Sequence, residues 1–163
     1  VFLEEGGGYR IKIHIYFLFD PINGIYNQFS FAPKEYVFSL IVPEELNNYN
    51  DQFRYITCIE ELASFMQMLE RVLFLKILDV AQDIQGLDQL MNPEDDEILE
   101  RRKISVFFYP QRIIAAHLAN NPRFEKLVEE YSHVHYFGAN EEFRVTQWPK
   151  LLIYLREEVK PLI

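Results

Sequence analysis

At 163 residues and 19.5 kDa, 49% hydrophobic with 6 Gly and 8 Pro, the chain has the composition of a packed globule and not of a disordered tail. The formal net charge of −9, from 25 acids against 16 bases, opposes binding to nucleic-acid phosphates or anionic lipid. It favours encounter with a basic macromolecule.

A chain of this length buries roughly 70% of the surface its unfolded form exposes, enough to fold as one domain without disulfides or metal. Cys58 is the only cysteine, so no intramolecular disulfide forms, which suits a reducing, cytoplasmic setting. The opening residues carry Glu4 and Glu5 in place of a basic signal-peptide start. Apolar runs such as residues 13–19 fall far short of a membrane span. A first residue of Val1 fits a processed or excised chain, and residues 1–8, with Gly6–Gly8, read as a flexible lead-in.

Residues 9–20 begin with a period-two pattern: Ile11, Ile13, Ile15, Phe17 and Phe19 on one face, Arg10, Lys12 and His14 on the other. That is a strand signature. Asp20-Pro21-Ile22-Asn23-Gly24 reads as a turn, and residues 25–31 as a second strand with Ile25, Phe29 and Phe31 on one side. Residues 36–42 and 53–57 follow as third and fourth strands around a polar loop at 44–52. Short connections predict an antiparallel β-meander.

Thr57 and Glu60 have capping-box spacing. Behind them Leu62, Phe65, Met66, Leu69, Val72, Leu73, Ile77 and Val80 predict one long helix over residues 58–85, stopped by Gly86. It would cover the meander through Phe65, Leu69 and Leu73. Asn92-Pro93 and the acids Glu94–Glu97 predict the start of a further helix, with Arg101–Lys103 in its last turn.

Residues 104–109 and 133–137 read as short strands, 143–145 as a brief extended piece, and 110–120, 122–131 and 149–160 as helices. The expectation is a single α+β domain over residues 1–163: an N-terminal antiparallel β-meander covered by a long helix, then C-terminal helices around two or three short strands.

No motif carries chemistry. Gly6–Gly8 precedes a strand rather than joining strand to helix, which fails the context of a phosphate loop. His133 and His135, two apart on a strand, would share a face, and Glu141 and Glu142 follow, but no third ligand has diagnostic spacing. Cys58 could meet His14 or His117, although its apolar neighbours Ile56 and Ile59 suggest a semi-buried structural thiol. Adjacent carboxylates on a helix diverge by about 100° and do not converge on one bond. Trp148, before Pro149, reads as a packing staple.

These residues predict a non-catalytic acidic protein with no metal and no cofactor. It would capture a basic protein, in the manner of an inhibitor or immunity protein that neutralises a toxin or nuclease. The predicted contacts are Glu44, Glu45, Tyr49 and Asp51 in the 44–52 loop, and Tyr136, Glu141 and Glu142, because recognition concentrates on loops held by a rigid scaffold. The alternative is a small-ligand sensor or regulatory domain excised from a longer chain, with aromatic residues lining a pocket. An enzyme built on the His133/His135 face is a third reading.

Overall fold

A computed structural model of the chain describes residues 2–3, 9–11, 15–17, 19–29, 39–41, 54–94, 109–133 and 140–163. It is mostly helical, which overturns the expected α+β architecture with its N-terminal meander. Among the described residues the strands span two or three residues each: β1 Phe2–Leu3, β2 Tyr9–Ile11, β3 Ile15–Phe17, β4 Ser39–Ile41 and β5 Arg54–Ile56. Their antiparallel pairing runs β1-β2-β5 and, separately, β3-β4. Thus β2 partners β5 (Tyr9 opposite Ile56) and not the next strand along the chain.

The expected turn at 20–24 and the first two residues of the expected second strand form a helix, α1 (Asp20–Tyr26), followed by a turn through Phe29; residues 30–31 of that strand lie outside the described residues. Asp20-Pro21 is a helix start rather than a hairpin turn: proline lacks an amide that the first helical turn leaves unbonded anyway. Ile22, Ile25 and Tyr26, at i, i+3 and i+4, then bury together.

The predicted long helix is interrupted. It comprises α2 (Ile59–Arg71), a π-helical segment (Val72–Leu78), turns over 79–83, and α3 (Ile84–Met91). The contact at its start is one-way and uses Glu61, not Glu60: Thr57 donates its amide (2.7 Å) and hydroxyl (3.0 Å) to the Glu61 carboxylate, and Cys58 is the N-cap. Gly86 lies inside α3 instead of stopping a helix. A Cβ there would overlap the carbonyl oxygen of Val80, so glycine permits the tight return after the π segment. Asp83 caps α3 by accepting the Gly86 amide at 2.8 Å.

Next come α4 (Tyr109–Leu118), α5 (Phe124–Ser132) and α6 (Asn140–Glu157). The helices expected over 110–120 and 122–131 fall on α4 and α5. The expected extended piece at 143–145 lies within α6, which begins well before the anticipated 149. Tyr109 opens α4 and His133 is the C-cap of α5, so neither belongs to a strand. The rest of those two predicted strands, residues 104–108 and 134–137, lies outside the described residues, as does the charged stretch 95–103.

Two apolar clusters organise these elements. The larger surrounds α4, nearly every residue of which is buried, and takes in Ile22, Ile25 and Tyr26 of α1, Leu87 and Met91 of α3, Leu127 and Tyr131 of α5, and Trp148, Leu151 and Leu155 of α6. Trp148 is the packing residue its position suggested: its indole donates to Ser132 Oγ at 2.9 Å, and that hydroxyl donates to the Val128 carbonyl at 2.6 Å. The smaller cluster joins Ile56 of β5 to Phe65, Val72 and Ile77. Leu90 packs against both. Among the described residues no helix is long and apolar enough to cross a membrane.

Candidate functional site

Two features stand out: a polar cleft where α3 meets the α4–α5 turn, and an exposed apolar row on α2 and the π segment.

The cleft arises from how two helices end. At the end of α3 the backbone of Asn92 leaves helical values (φ −125°, ψ 60°), and its side chain turns inward. At the end of α4 Asn120 adopts φ 50°, the left-handed conformation asparagine tolerates. The Asn121 amide then bonds to the Ala116 carbonyl (2.9 Å) and the Asn120 amide to that of His117 (3.0 Å), the two bonds of a Schellman motif. This closure presents the Asn121 side chain to α3.

Asp88 is the hub. It lies on the buried stripe of α3 with Ile84, Leu87 and Met91 and is only 5% exposed. Asn92 Nδ2 donates to Asp88 Oδ1 at 2.7 Å, and Asn121 Nδ2 donates to Asp88 Oδ2 at 2.6 Å. The second Asn92 amide hydrogen goes to the Arg112 carbonyl at 2.9 Å, while Asn92 Oδ1 accepts from the Tyr131 hydroxyl, also at 2.9 Å. Arg123 donates to the Pro93 carbonyl at 2.8 Å, and its own amide donates to Asn121 Oδ1 at 2.8 Å. The network therefore binds α3, α4 and α5 together. Above it opens a cleft of about 740 Å³, with Gln85, Gln89 and Glu94 at its rim.

Burial pushes the Asp88 carboxyl above its ordinary value; the amides of Asn92 and Asn121 and the charge of Arg123 oppose that shift without cancelling it. Burial likewise raises the Tyr131 phenol, with the nearby Arg112 charge and hydrogen bond opposing. Both Asp88 oxygens accept from amide donors, so the carboxylate ties α3 to the turn after α4 while lining the cleft.

The apolar row follows from helix winding. Taking an α-helical advance of about 100° per residue, Phe65 and Val72 share the buried face of α2, while Ile59, Ala63, Met66 and Glu70 form a row roughly 120° away. Continued α winding would bring position 76, a lysine, to the buried face and turn Ile77 outward. A π turn takes in one more residue and advances only roughly 80° per residue. Ile77 thereby reaches the core, where it is buried with Val72. The same winding carries Phe74 and Leu78 into line with Ile59 and Met66. These four are 43–69% exposed, and Leu75 beside them is exposed as well.

Most of the residues expected to recognise a partner fall outside the described residues. Glu44, Glu45, Tyr49, Asp51 and Tyr136 lie outside them, as does His135. Glu141 and Glu142 fall in the first turn of α6. The Cys58 thiol, expected to be semi-buried, is exposed at the N-cap of α2. His117 is engaged elsewhere, donating from Nε2 to the Val159 carbonyl at 2.9 Å. Among the described residues no three His, Cys, Asp or Glu side chains gather as a metal site would require.

The Asp88 network went unforeseen, although its signal was present: Asp88 continues the Ile84–Leu87–Met91 apolar stripe, and a charge on such a stripe points to a buried partner. No family model, curated protein or solved structure matches this chain.

Proposed function

We propose that this protein is a non-catalytic, acidic binding protein that captures a basic protein partner, most simply as an inhibitor of the immunity-protein type. One observation carries the reading. Exposed carboxylates are distributed over the surface at Glu60, Glu70, Asp79, Glu94, Glu129, Glu157 and Glu158, whereas Asp88, the buried carboxylate at the cleft, is occupied by amides. Dispersed surface charge speeds and orients encounter with an oppositely charged partner. Affinity then has to come from apolar anchors, and exposed apolar side chains are available on α2 and the π segment.

The experiment is capture from a native lysate, followed by stopped-flow association with the recovered basic protein at rising salt. The on-rate should fall on the order of tenfold from low to high salt, as screening shortens the reach of surface charge. A salt-independent on-rate, or tighter binding to DNA than to any protein, would overturn the reading.

The cleft above Asp88 favours a second reading, small-ligand sensing, because a space of about 740 Å³ is large enough for a metabolite-sized molecule. Its mark would be a small molecule that raises the melting temperature of the intact chain, with the rise lost in Gln89→Ala.

A further inference from the structure

Resting on that capture reading, we infer that the row formed by Ile59, Met66, Phe74 and Leu78 is the docking face for a basic amphipathic helix of the partner. Four large apolar side chains aligned along one helical edge and exposed to water are an unsatisfied surface. The π segment sets which residues extend the row. Without the extra residue in its turn, Ile77 would lie outward, and Phe74 and Leu78 would fall out of line with Ile59 and Met66. A winding irregularity that buries Ile77 and extends an exposed row at the same time serves recognition as well as packing.

The shape and the charge select the occupant. From Ile59 to Leu78 the row is roughly 25–30 Å long at α-helical rise, and it is narrow. That shape suits a helix laid alongside, whose anchors recur at i, i+3, i+4 and i+7. Glu70 lies within the row, Glu60 and Asp79 lie along one edge, and Arg71 shares that edge; all four are exposed. Three carboxylates against one guanidinium leave the face with a charge of −2. Two copies meeting through it would set these like charges together in chains that each carry −9. A helix with lysine or arginine beside its apolar stripe pairs with them instead.

The probe is an 18-residue peptide of leucine and lysine patterned as an amphipathic helix, titrated into the full chain and followed by fluorescence anisotropy. Controls are the same pattern with glutamate for lysine, and polylysine of equal charge. The leucine–lysine peptide should bind with one-to-one stoichiometry and the glutamate version should not. The double variant Met66→Ser/Phe74→Ser should weaken it at least about tenfold, as loss of central anchors does, and should leave polylysine binding unchanged. Glu70→Lys, an exposed change that leaves packing alone, should weaken it too, and more at low salt than at high.

Unchanged peptide affinity in both variants, with binding intact in the parent, overturns the docking face while leaving capture elsewhere on the surface. No binding of any basic ligand by the parent chain overturns the capture reading itself. A parent dimer that dissociates in Met66→Ser/Phe74→Ser makes a second copy the occupant and overturns this inference.

Discussion

The helices around α4 and the β5–α2–π unit solve the same problem in opposite ways. Around α4 nearly every side chain is buried, and Asp88, Asn92, Asn121 and Tyr131 are drawn into bonds that tie α3 to α5 and to the turn after α4. In the β5–α2–π unit four residues form the buried cluster, while a comparable number of large apolar side chains stay in water. The contrast separates two uses of hydrophobic surface. In the first region it holds the fold; in the second, part of it stays in contact with water.

Substitutions sharpen or break this contrast. The largest effect belongs to Ile113→Ala, fully buried in α4, which should cost about 2–5 kcal/mol in chemical denaturation. Leu75→Ala on the exposed side should cost under about 0.5 kcal/mol, and equal losses at the two positions would erase the distinction. Gly86→Ala comes next, at about 1–3 kcal/mol or more, because the new methyl meets backbone rather than a movable side chain. A melting temperature equal to the parent's would show that the Val80 turn gives way freely.

Asn92→Ala should cost about 1–3 kcal/mol by stranding buried groups on three helices. The hub also predicts a pH effect. Burial raises the folded-state pKa of Asp88 above the ordinary value of about 3.8. Its favourable contribution is therefore fully present below about 3.8 and lost as pH rises through the higher folded value. The stability of the parent relative to Asp88→Asn should then grow as pH falls from neutral towards 4, measured by urea unfolding at each pH. A difference that is flat or shrinks on acidification would contradict the buried charge. The smallest effect is Arg156→Ala: its exposed pair with Glu125, at 2.6 Å, should be worth about 0.5 kcal/mol or less, and less again at high salt.

Legibility in the sequence followed the range of the interactions. The middle helices were readable because their signals are local: apolar residues at helical spacing in 62–73 and proline near the starts of α4 and α5. The segment 20–29 misled because Pro21 and Asn23-Gly24 carry turn chemistry, while Ile22, Ile25 and Tyr26 carry helical spacing, and burial against α4 decided between them. Strand order was illegible, since the β2–β5 pairing joins residues more than forty positions apart and no local signal encodes it. The Asp88 hub draws on α3, α4 and the turn after α4, so only its place on an apolar stripe could be seen in advance. The π segment was illegible too: Leu73 and Ile77 keep a helical step of four in the sequence, and only the structure shows that the buried pair is Val72 and Ile77, a step of five where an α-helix steps by three or four.

That five-residue step has an implication for the length of the chain. Four α steps and five π steps rotate through nearly the same angle, about 400°, so the segment carries one residue beyond what its ends need. Deleting Leu75, whose side chain is exposed, lets 72–78 rewind as ordinary α-helix and still deliver Ile77 to the core and Leu78 to the outer row. The tight Val80–Gly86 return would then begin slightly further along the axis and at the same rotation. Such a shortened chain should fold, whereas a one-residue deletion in the middle of α2 or α4 has no slack to draw on and should not. The protein holds an inserted residue in reserve, at the place where its exposed apolar edge turns towards α3.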